Sequence, residues 1–147
     1  MKKFIALVVM LCAVVISSTA TAANWNLICK DVDSNEYFID YSSISLKKKQ
    51  KEDFQFSVLI KIVYSEFGRA EMNKRLLPPQ LINFASYEIN RVLFRLKKSQ
   101  RAWRSEGGAI FAADGTILRT TSHFYEFLKF NQSSVYWPLF NAAYSHL

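Results

Sequence analysis

The run from Phe54 to Tyr64, "FQFSVLIKIVY", constrains the fold more than any other part of the chain. Phe54, Phe56, Val58, Ile60, Ile62 and Tyr64 fall on one parity, with Gln55, Ser57, Leu59, Lys61 and Val63 between them. Successive side chains of a strand point to opposite faces, so this alternation predicts a long strand with one fully buried face. Such a strand needs neighbours for its backbone groups and a second layer for its apolar side.

Neighbours can be read on both sides. "NWNLICKD" predicts a short strand, with Trp25, Leu27 and Cys29 on one parity, and "DVDSNE" tightens the turn after it. "EYFIDY" predicts a second strand, with Tyr37, Ile39 and Tyr41 sharing a side. In "ASYEINRVLFRLKK" Glu88, Asn90, Val92, Phe94 and Leu96 share one parity, and β-branched and aromatic content favours strand over helix. "QRAWRSE" and "GAIFAADGTILRTTSHF" continue the meander, with turns at Gly107-Gly108 and Asp114-Gly115. Residues 47–53, "KKKQKED", carry charge without apolar periodicity and read as an exposed loop. Residues 66–84, interrupted by Gly68 and Pro78-Pro79, read as a long, partly ordered connection.

The second layer comes from the tail. Ser133 or Ser134 offers an N-cap, and Val135, Leu139, Ala142 and Ala143 follow at helical spacing. Proline is tolerated only in a first helical turn, so Pro138 puts the start of the regular helix near Trp137 or Pro138. The predicted fold is α+β: a single antiparallel β-sheet of about six strands in meander order, with a C-terminal α-helix packed on one face.

The start of the chain has a separate meaning. Lys2 and Lys3 precede an apolar run from Phe4 to Ile16, and Ala20-Thr21-Ala22 supplies a small-x-small cleavage pattern, the layout of a secretory signal. Residues 1–22 are therefore expected to be a signal peptide and residues 23–147 one exported domain. No later apolar run approaches the roughly 20 residues of a membrane span. With Cys12 inside the leader, Cys29 alone remains, either as a buried thiol or as half of an intermolecular bridge that would make a homodimer. The net charge is +7, two units of it from Lys2 and Lys3. Basicity outside the cytoplasm points to anionic surfaces such as lipopolysaccharide, glycans or acidic proteins rather than to nucleic acid.

Catalytic groupings are sparse. His123 and His146 stand far apart, no HExxH or CxxC spacing gathers metal ligands, and no GxSxG elbow or glycine-rich loop occurs, so neither metal nor cofactor is expected. Asp40 beside Ser42 and Ser43 reads as a residue that closes a strand by bonding backbone N–H groups, since no histidine lies nearby to complete a proton relay. The basic residues form two groups: Lys47, Lys48, Lys49 and Lys51 in one loop, and Arg91, Arg95, Lys97, Lys98, Arg101 and Arg104 within one hairpin. The second group is the candidate ligand-binding patch, able to hold sulphated glycan, lipid phosphate or an acidic partner through charge-assisted hydrogen bonds. The bland alternative is a solvated face.

The order of motifs carries a resemblance. A tryptophan near the mature start, "EYFIDYSSI", a long strand running into "KIVYSEFGRA", then "SYEINRVLFRL", "GGAIF" and a Ser-capped C-terminal helix together resemble the surface-adhesin protein E family of Gram-negative bacteria, from Trp25 to about Ala143. The resemblance implies a sheet with a docked helix, a location in the periplasm or on the outer-membrane surface, and non-enzymatic binding of host matrix proteins. It also implies a cysteine after the "YEIN" motif, bonded to one at the end of the helix. Here that position holds Arg91 and the tail reads "YSHL", so the helix is expected to dock by packing alone. A periplasmic inhibitor of a cell-wall enzyme such as lysozyme, or an envelope-assembly factor, is the alternative reading.

Overall fold

The computed structural model describes residues 23–75 and 85–147; the predicted leader, residues 1–22, and Pro78-Pro79 lie outside them. Among the described residues one sheet contains β1 (Trp25–Lys30), β2 (Glu36–Gln50), β3 (Asp53–Val63), β4 (Ala85–Lys97), β5 (Gln100–Ala112), β6 (Ile117–His123) and β7 (Leu128–Lys129). All pairings are antiparallel and the order is β1-β2-β3-β4-β5-β6, with β7 pairing β5 beyond the end of β6. Helix α1 (Glu66–Arg75) follows β3, and α2 (Tyr136–Tyr144) lies across one side of the sheet. The α+β meander with a C-terminal helix is thus the observed architecture. Among the described residues no helix is long and apolar enough to cross a membrane.

The period-two pattern of β3 works as expected. Phe56, Val58 and Ile60 are buried, facing Phe94, Val92 and Asn90 on β4. Onto this floor α2 presses Leu139, Phe140 and Ala143. Phe140 sits 5.5 Å from the Phe56 ring and 5.6 Å from that of Phe94, edge-on to the latter. Helix α2 begins at Tyr136, one residue before Trp137, with Pro138 in its first turn; its N-cap is Val135 rather than Ser133 or Ser134, because the chain is already helical at Val135, although the Ser134 hydroxyl accepts the Tyr136 N–H. At the other end His146 stacks on Tyr41, ring centres 3.8 Å apart. The side covered by α2 is the near face, and the other is the far face.

Several local expectations are corrected. Residues 47–53 are not a loop: β2 runs to Gln50, Lys51 and Glu52 turn, and β3 begins at Asp53. The charges hide the strand because what holds it is a backbone ladder and Asp53, which accepts Lys48 at 2.6 Å. Gly107-Gly108 is not a turn but a bulge inside one long β5, with Gly107 at φ 99°. The Asp114-Gly115 turn is present, with Gly115 N–H bonded to the Ala112 carbonyl. Residues 66–75 are helical, because the Ser65 hydroxyl accepts the Gly68 N–H as an N-cap. In β1 a register shift between Leu27 and Cys29 breaks the expected parity, leaving Leu27 exposed while Cys29 packs on the core.

Asp40 does not close β2. The strand continues, but residues 41–44 stand against Val58 alone, a large bulge. Asp40 Oδ1 accepts the N–H and hydroxyl of Ser42, and Ser43 Oγ accepts the Leu59 N–H across the gap. The acid and serines therefore satisfy backbone groups that the bulge leaves unpaired.

Candidate functional site

Two hairpin tips lie side by side at one end of the sheet. The β2–β3 tip carries Lys51 and Glu52, and the β4–β5 tip carries Lys98 and Ser99. Lys98 N–H donates to the Glu52 carbonyl at 3.2 Å and so locks one tip to the other. Beside them, on the near face, is a groove of about 860 Å³ with Phe54 and Leu96 for a floor and Tyr144 of α2 for a wall. Lys49, Lys51, Lys98 and Arg101 line it. Its one acid, Glu52, is 3.9 Å from Lys98, a loose and exposed ion pair that does little to neutralise the groove.

The groove splits the candidate patch of the β4–β5 hairpin. Lys98 and Arg101 belong to it. Arg101 faces α2, its guanidinium 3.9 Å from the Trp137 ring centre. Lys97 stands opposite Asp53 in the strand register, on the far face. Arg95 is occupied: it donates Nε and Nη2 to the two oxygens of Asp53 at 2.7 and 2.9 Å. Together with Lys48 it holds the Asp53 carboxyl well below the usual carboxylate range. Arg104 donates to the Tyr125 carbonyl and lies over Phe127. Arg91, opposite Leu59, also faces away from α2. A cysteine at position 91 could not have tied the helix to the sheet in this chain. Alternation explains the dispersal, since neighbours in a strand sequence point to opposite faces.

Conversely, the structure joins two groups that the sequence keeps apart. Lys49 and Lys51 on one hairpin meet Lys98 and Arg101 on the next, which needs only the ladder between β3 and β4.

Elsewhere on the near face, beside the first turn of α2, a second cavity of about 310 Å³ lies over β3–β6. Ile62, Val92, Ile110 and the Trp103–Tyr136 stack, with ring centres 3.9 Å apart, contribute its apolar wall. Its floor is polar. Tyr64 donates its hydroxyl to Glu88 Oε2 at 2.5 Å and Asn90 donates Nδ2 to Glu88 Oε1 at 2.8 Å. Thr121 donates to Asn90 Oδ1 at 2.8 Å. Gly108, which pairs with both Asn90 and Thr121, makes that last bond feasible: a Cβ there would meet Asn90 Oδ1 at 2.2 Å. Glu88 keeps some exposed area, which opens into the cavity, yet enough protein packs around the carboxyl that desolvation pushes its pKa up against the pull of its two hydrogen bonds. Burial, then the neighbouring carboxylate, pushes the Tyr64 hydroxyl up as well.

Sequence reading missed this cavity. The signal was present, because Glu88 and Asn90 stand on the parity of Val92, Phe94 and Leu96, and polar residues on an apolar stripe are the informative exception. Asp40 serves the bulge, and burial, then the nearby Asp31, pushes the Cys29 thiol up, which keeps it protonated. Among the described residues no group of three or more His, Cys, Asp and Glu side chains is arranged to hold a metal ion. No protein-family model, curated protein or solved structure matches the chain.

Proposed function

We propose that this is an exported, non-catalytic binding protein of the surface-adhesin E kind, which holds an anionic glycan of a host or cell surface in the basic groove between its hairpin tips. The observation that carries this reading is the convergence of Lys49, Lys51, Lys98 and Arg101 on one groove with an aromatic and aliphatic floor. Sulphate and carboxylate groups take charge-assisted hydrogen bonds from such side chains, while sugar rings lie on Phe54, Leu96 and Tyr144. The order of motifs from Trp25 to Ala143 and the secretory leader support the same class.

Heparin is a suitable probe. Its binding to residues 23–147 should be saturable and should weaken steeply as salt rises from about 0.05 to about 0.5 M, because exposed charges are screened. Lys49→Glu with Lys98→Glu should cut the affinity by more than about tenfold, the effect of losing two charge-assisted contacts. Lys129→Glu, on the short strand β7, is the control. Equal binding by the double variant and the wild type would defeat the groove reading.

A further inference from the structure

The cavity over Glu88 lies apart from the basic groove and shares no lining residue with it. Each oxygen of the Glu88 carboxylate accepts one protein hydrogen bond, and a carboxylate has room for about four, so acceptor capacity is left over on the side that opens into the cavity. A carboxylate largely held away from water calls for a donor or a cation, and Ile62, Val92 and Ile110 beside it offer neither. Tyr136, stacked on Trp103, brings a hydroxyl that has no hydrogen-bond partner among the described residues. The one basic lining group is Arg119, exposed at the rim and without an ion-pair partner among the described residues.

The register places these charges. Glu88 stands opposite Ile110, and Ile110 opposite Arg119, so acid, apolar residue and base form one row across β4, β5 and β6 on the near face. Two strand spacings separate the ends of that row, about 10 Å. That backbone separation, on one face, lets an acid and a base point into the same cavity, where an α-amino-acid head group can make a charge-assisted hydrogen bond at each end. Ile62, Val92, Trp103 and Phe124 offer apolar surface to whatever the head group carries. The volume is at the small end of the range for ligand sites, about 300–1,000 Å³, which suits a molecule of amino-acid size.

We propose that this cavity binds an amino-acid-sized zwitterion with an apolar side chain, its ammonium on Glu88, its carboxylate on Arg119 and its side chain against Trp103 and Phe124. Tyr136 supplies a further donor to the ligand carboxylate. The Tyr64–Glu88–Asn90–Thr121 chain positions the acid, and Gly108 permits that chain to close.

Three probes of one shape and different charge test this: L-leucine, leucinamide and 4-methylpentanoate, titrated into residues 23–147 and followed by calorimetry and amide chemical shifts. Leucine should bind most tightly, leucinamide more weakly and 4-methylpentanoate least. Shifts should centre on Glu88, Thr121 and Trp103. Arg119→Ala, an exposed change, should lower leucine affinity to that of leucinamide while leaving leucinamide unchanged. Glu88→Gln should weaken both amines by more than tenfold. Methylpentanoate binding as tightly as leucine would make the cavity an anion or fatty-acid site and overturn the proposal. So would leucinamide matching leucine in the wild type, or no probe binding at millimolar concentration. The Lys49→Glu, Lys98→Glu variant should bind leucine normally, so failure of the groove reading is distinguishable from failure of this one.

Discussion

At the scale of single residues, two carboxylates of opposite habit contribute opposite trends to the response to pH. Asp53, gripped by Arg95 and Lys48, has a lowered pKa, so its contribution to stability is present above the ordinary value of 3.8 and is lost as pH falls below it. Glu88 has a raised pKa, so the folded state binds its proton more tightly than the unfolded state, and stability declines as pH climbs above the ordinary 4.5. The groups around Glu88 are tyrosines 37, 64 and 136, neutral over this range, and Arg119 at the rim. Urea unfolding between about pH 3 and about pH 8 should show Asp53→Asn flattening the acid limb and Glu88→Gln flattening the decline on the other side. Gly108 yields a simpler prediction. A Cβ there would meet the Ile89 carbonyl oxygen at 2.1 Å, a backbone atom that cannot swing away. Gly108→Ala should cost about 1–3 kcal/mol or more and break the Asn90–Thr121 bond, visible as lost protection of the β5 amides in hydrogen exchange.

At the scale of elements, the β4–β5 hairpin tip combines the proposed binding groove with strain. Lys98 and Ser99 turn between β4 and β5 with φ of 47° and 66°, the left-handed region that a tight hairpin demands and that glycine or asparagine fills most comfortably. Ser99→Gly should therefore raise stability by about 1 kcal/mol in urea unfolding, with heparin binding unchanged because Lys98 stays. A stabilised variant with lost binding would mean that the Ser99 side chain, which also lines the groove, takes part in holding the ligand. The β2–β3 turn at Lys51 and Glu52 also lacks the usual glycine signature, which is why residues 47–53 read as a loop, whereas the β4–β5 hairpin was read from its flanking strands. The Asp114-Gly115 turn, which has it, was legible. Bulges are similarly hidden: those at Ile28, residues 41–44 and Gly107 shift a strand's parity without altering its composition.

At the scale of the whole molecule, one sheet is completed by one helix, and that helix docks without a covalent tie. Phe140 supplies the central contact, enclosed by Phe56, Phe94 and Phe130. Phe140→Ala should cost about 3–5 kcal/mol by thermal or chemical unfolding, the usual toll for a large aromatic in a core. Loss of the Tyr41–His146 stack alone should cost far less, since His146 is exposed. The alternation of β3, the parity of β4 and the apolar spacing after Ser134 determined the class of fold, because periodicity reports which side of an element must be hidden from water. They also determined Glu88 as an outlier, although nothing in the chain says that a cavity lies above it. The pairing of Lys49 and Lys51 with Lys98 and Arg101, and the row from Glu88 through Ile110 to Arg119, were decided by tertiary structure. Both depend on register between strands distant in sequence, and a one-residue slip in that register would send every one of those side chains to the opposite face.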